Sequence, residues 1–263
     1  SSKAKKKLML KLSHNPRFQQ LEDQGLNLNW DEIITSTQWL KEICLNPDTD
    51  SGWTYKPKEA KRVGWYHYGH STFDCKPENN QRKYNDLTTE TTIVIATLAH
   101  HHPSKGTVET IQALEVIKKK YLNKVNIVSV GEWPDFSKIK PNWINYYFSL
   151  NRTKMAEVLN QTDIWISGSH SEGLGRLNLE AMSSGCACVL SDTSAEFTVD
   201  KVNCLLYEKK NVEQLITAID KLISDNTLRG NIAAEGYRTA KALSDSTDFT
   251  NNLNTVIEGL FNV

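Results

Sequence analysis

Two glutamates, Glu172 and Glu180, frame a turn in the stretch Gly168-Ser169-His170-Ser171-Glu172-Gly173-Leu174-Gly175-Arg176-Leu177-Asn178-Leu179-Glu180-Ala181-Met182. The apolar run before it, 163–167, reads as a strand, and 176–184 reads as a helix. Glycine lets backbone N–H groups approach a ligand closely, and a helix N-terminus favours an anion. The helix dipole contributes only about 0.3–1 kcal/mol at an exposed surface and more in a dry cleft. Phosphate is the natural anion for such a cradle. Carboxylates beside it would repel phosphate unless they face hydroxyl groups. A ligand with phosphate in the middle and polyols on either side satisfies both demands, and that describes a nucleotide sugar.

The elements that position these residues follow from short apolar runs alternating with helical patterns, the mark of a parallel sheet built from βαβ units. Strands are predicted at 92–98, 125–130, 144–150, 163–167 and 186–191, with a short edge element at 205–207. Helices are predicted at 108–121, 154–160, 176–184, 212–224, 227–242 and 247–261. Upstream, 8–12 and 33–34 read as strands, 38–44 as a helix, 46–60 as a turn-rich connector and 62–68 as β-prone. Continuous apolar strands of five or six residues suit a sheet covered on both faces. The expected fold is a doubly wound, Rossmann-like α/β sheet.

Other chemistry is less well supported by the residues. His100-His101-His102 invites a metal reading, but three consecutive histidines in an extended loop cannot converge on one ion, and no carboxylate spacing accompanies them. No metal is expected. Cys44, Cys75, Cys186, Cys188 and Cys204 are odd in number and lack metal-ligand spacing. Cys186 and Cys188 alternate in an apolar run and read as small buried side chains in a reduced compartment. No dinucleotide-type glycine fingerprint, Walker loop or nucleophile elbow is present.

Glu172 and Glu180 within strand–SEGLG–LEAM–SGC–strand resemble the motif of retaining GT-B glycosyltransferases, particularly the large family 4. The resemblance is good over 60–263 and weak over 8–45. TTIVIATLAHHHPSKG looks like the first strand of that family's donor domain, whose loop ends in a Lys-Gly pair touching the diphosphate; Lys105 and Gly106 match it. Where the family usually carries an arginine, this chain has His100, so a neutral imidazole replaces a fixed charge. Ala195-Glu196-Phe197 resembles the family's Pro-Glu turn with alanine for proline. Ser13-His14-Asn15 looks like the end of an acceptor-domain strand that closes on a histidine near the transferred sugar.

The resemblance implies a partial acceptor-side domain and linker at 1–60, a nucleotide-sugar-binding domain at 61–245, and a C-terminal helix at 246–263 packing back towards the N-terminal part. The family's earlier acceptor strands have no counterpart, so a missing N-terminal domain or a partner chain is expected to complete that side. The reaction implied is glycosyl transfer from a nucleoside-diphosphate sugar to a glycan, lipid or small-molecule acceptor, with retention and without metal or other cofactor. Glu172 and His14 would act at the transferred sugar. Lys105, Gly106, His100 and the backbone of Gly173, Leu174 and Gly175 would hold the diphosphate, and Glu180 the ribose.

Composition bounds the alternatives. The 31 basic and 31 acidic residues cancel, so no general attraction to nucleic acid arises. Lys3, Lys5, Lys6 and Lys7 read as a solvated terminus, with peripheral membrane contact as the alternative. No run approaches the roughly 18 apolar residues of a membrane span, and no export signal follows the start; a cytoplasmic setting is expected. Two rival functions stay open: a nucleotide-sugar-binding module without turnover, and a glycoside hydrolase using Glu172 and Glu180 as paired carboxylates.

Overall fold

The computed structural model describes residues 8–11, 32–35, 62–65, 92–133, 140–194 and 196–244, together with Asn254, Thr255 and Glu258, which are helical. His14, Ala195, the expected helix at 38–44 and most of 246–263 lie outside the described residues. Two compact units form. The first comprises Ser1–Gly69, Glu172–Leu174 and Asp245–Val263; the second comprises His70–Ser171 and Gly175–Ser244.

The first unit contains a parallel three-stranded sheet, β1 (Leu8–Lys11), β2 (Glu32–Thr35) and β3 (Arg62–Trp65), in that order. Strand β3 belongs here because it pairs with β2, Ile33 opposite Val63.

The second unit is built on six parallel strands: β4 (Ile93–Ala99), β5 (Val125–Gly131), β6 (Ile144–Phe148), β7 (Ile164–Ser167), β8 (Ala187–Ser191) and β9 (Leu205–Tyr207). Their order is β6-β5-β4-β7-β8-β9. Every residue of β7 and β8 is buried, as a strand with helices on both faces requires. Helices α1 (Thr107–Tyr121) and α4 (Val212–Ser224) pack together, and α3 (Arg176–Ser183) packs against α5 (Asn226–Ser244). A further helix, α2 (Arg152–Gln161), lies beside α3. The doubly wound expectation holds.

Local chemistry explains the element ends. Leu215, Ala218, Ile219, Leu222 and Ile223 of α4 are buried at the spacing of one helical face. Asn151 Oδ1 accepts from the Lys154 amide to start α2, and Asn211 Oδ1 accepts from the Gln214 amide to start α4. Strand β6 stops at Phe148, two residues before the expected end, because Ser149 turns left-handed with φ 46°. The chain then enters the Asn151 cap.

The chain switches direction at β4. It leaves towards β5 on one side, and β7 later returns on the other. Loops after β4 and β7 therefore depart oppositely, which opens a crevice at the carboxyl edge. Among the described residues no helix is long and apolar enough to cross a membrane. Cys186, Cys188 and Cys204 are fully buried free thiols, and burial pushes the Cys204 thiol up to about 12. It supplies no thiolate nucleophile.

Candidate functional site

The loop after β4 is held by its own side chains. Thr107, the first residue of α1, donates its hydroxyl to the His100 carbonyl at 2.9 Å and accepts from the His100 amide at 3.0 Å. The His102 amide donates to His100 Nδ1 at 2.9 Å. An imidazole that accepts at Nδ1 carries its neutral-state proton on Nε2, so His100 presents an N–H donor where the resemblance expects an arginine. Burial, followed by the charge of His101, holds the His100 pKa below its ordinary value of 6.5. Pro103–Lys105 forms one 3-10 turn, which ends on Gly106 with φ 59°. Lys105 is half-buried in it.

The loop after β7 meets this one backbone to backbone. The His170 amide donates to the Ser104 carbonyl at 2.7 Å. A Cβ on Gly106 would lie 1.9 Å from the Gly168 carbonyl oxygen, and a Cβ on Gly168 would lie 2.3 Å from Thr110 Oγ1. Neither position has room for a side chain. Ser191, at the end of β8, and Thr193 both donate to the Ser169 carbonyl, Thr193 at 2.8 Å. Loops after three strands are thus locked at one edge.

Helix α3 then starts at Gly175, left-handed with φ 65° and without a side-chain cap. Inside it, Asn178 is buried and its Oδ1 accepts from Trp165 Nε1 at 3.0 Å, which ties the helix to β7. Glu180 is half-buried on the same helix. Glu172 is half-buried and Gly173 and Leu174 are buried, and these three residues count with the first unit rather than the second.

Beside the β4 loop a cavity of about 460 Å³ is lined by His100, His102, Thr107, Glu109, His170 and Lys210, among others. His170 is only 16% exposed, with Nε2 3.3 Å from Glu109 Oε1. Burial lowers its pKa from 6.5; Glu109 opposes this, while Lys210 and Lys209 add to it. A histidine whose folded pKa lies below its unfolded value contributes stability above pH 6.5, and that contribution is lost as pH falls from 6.5 through the folded value. The melting temperature is therefore expected to drop between pH 7 and pH 5.5, and His170→Gln to flatten part of that drop in calorimetry. An unchanged slope in the variant would refute the assignment.

The structure brings His100, Lys105, Gly106 and Gly175 to the carboxyl edge of one sheet, with Glu180 one turn into the helix that starts there; His14 lies outside the described residues. The residues alone did not single out Gly168, whose contact with Gly106 joins the loops. They also missed Glu132. Its Oε2 lies 2.7 Å from His101 Nδ1, a carboxylate partner hidden by a separation of 31 residues.

Known proteins resemble this chain in sequence and in fold. The family of glycosyl transferases group 1 matches residues 78–239. The chain is 27% identical over 162 residues to a poly(glycerol-phosphate) alpha-glucosyltransferase of Bacillus subtilis, covering 58% of this chain and 23% of that protein. It is 30% identical over 135 residues to an uncharacterized glycosyltransferase of Methanocaldococcus jannaschii, covering 48% and 34%. The chain thus spans about a quarter to a third of these curated relatives. The solved C-terminal domain of a glycosyl transferase group 1 family protein from Francisella tularensis superposes with a TM-score of 0.57 at 31% identity, covering 66% of this chain and 97% of that one. Anabaena HepE, solved with UDP and glucose, shares the fold with a TM-score of 0.73 at 17% identity over 95% of this chain and 71% of its own. The chain belongs to the group 1 glycosyl transferase family, and its six-stranded unit has the Rossmann-like fold found in GT-B glycosyltransferases.

Proposed function

We propose that this chain binds a nucleoside-diphosphate sugar at the carboxyl edge of the six-stranded sheet and takes part in transferring its glycosyl group, with retention, to a glycan, lipid or small-molecule acceptor. The observation that carries this reading is the locked pair of loops, Gly106 against Gly168 with the His170 amide on the Ser104 carbonyl. Preorganised donors stabilise a departing diphosphate better than groups that must first be ordered. Lys105, the His100 Nε2–H and the backbone amides of Gly173, Leu174 and Gly175 take the diphosphate oxygens. Glu180 takes the ribose hydroxyls. By the family resemblance, Glu172 orients the transferred sugar and His14 hydrogen-bonds it.

Names of relatives guide the choice of probe. HepE was solved with UDP and glucose, and the Bacillus subtilis relative is named a glucosyltransferase, so UDP and UDP-glucose head the screen. The poly(glycerol phosphate) in that name is not carried over as an acceptor. The matched segment covers 23% of the relative, and the resemblance here is to the donor side.

A thermal-shift screen of nucleoside diphosphates and their sugars tests the reading. A ligand at 100 times its Kd stabilises by about 2.7 kcal/mol, a rise of roughly 5–11 °C for a unit of this size. Lys105→Ala should lose most of the shift for diphosphates and little for the bare nucleoside. If no nucleotide raises the melting temperature of the wild type, the donor site is not there. Release of free sugar from a simple glycoside without nucleotide would point to hydrolysis instead.

A further inference from the structure

We propose that His100, His101 and Glu132 form a binding site for a divalent transition metal ion at the rim of the β4 loop. The fold assembles it through strand register. Ala99 of β4 pairs with Gly131 of β5, and the Glu132 amide donates to the Ala99 carbonyl at 2.9 Å. The residues following the two strands therefore leave the sheet side by side. His101 Nδ1 and Glu132 Oε2 lie 2.7 Å apart, and the His100 and His101 rings stack with centroids 4.4 Å apart and planes 26° apart. One ligand atom from each of the three residues falls within 4.8 Å of the others.

Two imidazoles and one carboxylate are the donor set of a zinc-type ion with an open position. Tetrahedral bonds of about 2.0–2.1 Å place ligand atoms roughly 3.3 Å apart, and because the two rings now stack, one of them must turn to aim its nitrogen at the shared ion, a rotation open to the exposed His101. His101 and Glu132 are both more than half exposed, and an ion in solution can reach them. Three neighbouring histidines cannot converge on one ion, but the strand register sets a carboxylate, Glu132, beside two of them. An ion there brings positive charge to the loop in which His100 replaces the family's arginine.

The full chain, stripped with chelator, is titrated with Co2+ followed by visible absorption and with Zn2+ by calorimetry, alongside His101→Ala and Glu132→Gln. Both side chains are at the surface, and circular dichroism confirms that the variants fold. Expected are one ion per chain, a tetrahedral cobalt spectrum, and weakening by about tenfold or more in each variant. No binding to the wild type would overturn the site, as would binding equal in both variants, since other histidines and cysteines would then hold the ion. Mg2+ competing on equal terms would overturn the metal class. A further arm rests on the donor-site reading: Zn2+ should tighten UDP binding in the wild type and not in Glu132→Gln. Zn2+ bound with no change in UDP affinity would overturn the electrostatic role alone.

Discussion

Glu180→Ala is expected to weaken binding of a nucleoside diphosphate by roughly 30- to 150-fold while leaving the chain folded. The carboxylate sits half-buried inside α3, beyond the turn that begins the helix. Hydrogen bonds from ribose hydroxyls to a carboxylate are charge-assisted, each worth about 1.5–3 kcal/mol. Losing one strong bond or two weaker ones, about 2–3 kcal/mol, gives that range at 1.4 kcal/mol per decade. Alanine is a better helix former than glutamate by a few tenths of a kcal/mol, so the fold should not suffer. Calorimetric titration with UDP and with 2′-deoxy-UDP tests the assignment. Wild type should distinguish the two ligands and Glu180→Ala should not. An equal loss of affinity for UDP and 2′-deoxy-UDP on substitution would place Glu180 away from the ribose 2′-hydroxyl.

Gly106→Ala is expected to cost stability and binding together. Gly106 is left-handed at φ 59°, and a β-carbon there would lie 1.9 Å from a backbone oxygen of Gly168. The left-handed conformation alone costs an alanine about 1–2 kcal/mol. The collision cannot be relieved by rotating a side chain, so the two loops must separate by more than an ångström. A total of about 2–4 kcal/mol follows, lowering the melting temperature by roughly 4–16 °C at 2–4 °C per kcal/mol. Misplacement of a binding group by 1 Å can cost about a hundredfold in rate, so, on the proposed donor-site reading, UDP binding and any glycosyl transfer should fall as well. Thermal unfolding and transfer assays on the same preparation check this. A variant with wild-type melting temperature would show that the loops are not locked as described.

How much of this was legible beforehand depended on whether neighbours in space were neighbours in the chain. Strands β7 and β8 announced themselves because every residue of each is buried, and β4 and β5 because apolar residues dominate them around Thr97, Asn126 and Ser129. The strand–glycine–helix order of 163–184 was legible because it depends on local backbone and not on distant partners: β7 ends at Ser167 and α3 starts at the left-handed Gly175. The Gly106–Gly168 contact could not be read, since nothing at either glycine states which backbone lies against it. Glu132 was hidden for the same reason. Only the pairing of Ala99 with Gly131 carries it to His101. The end of β6 was overrun because Leu150 continues the apolar pattern, whereas the left-handed Ser149 bends the chain for reasons that lie in the backbone.

The uniform direction of the six strands has a practical outcome for anyone building on this scaffold. The described site residues follow the ends of the strands, whereas the opposite rim carries returns such as the 3-10 turn Leu122–Lys124, where Leu122 is 64% exposed. A fluorophore or fusion partner grafted there would sit a full strand length away from the crevice, reporting on the molecule without standing in the path of its ligands.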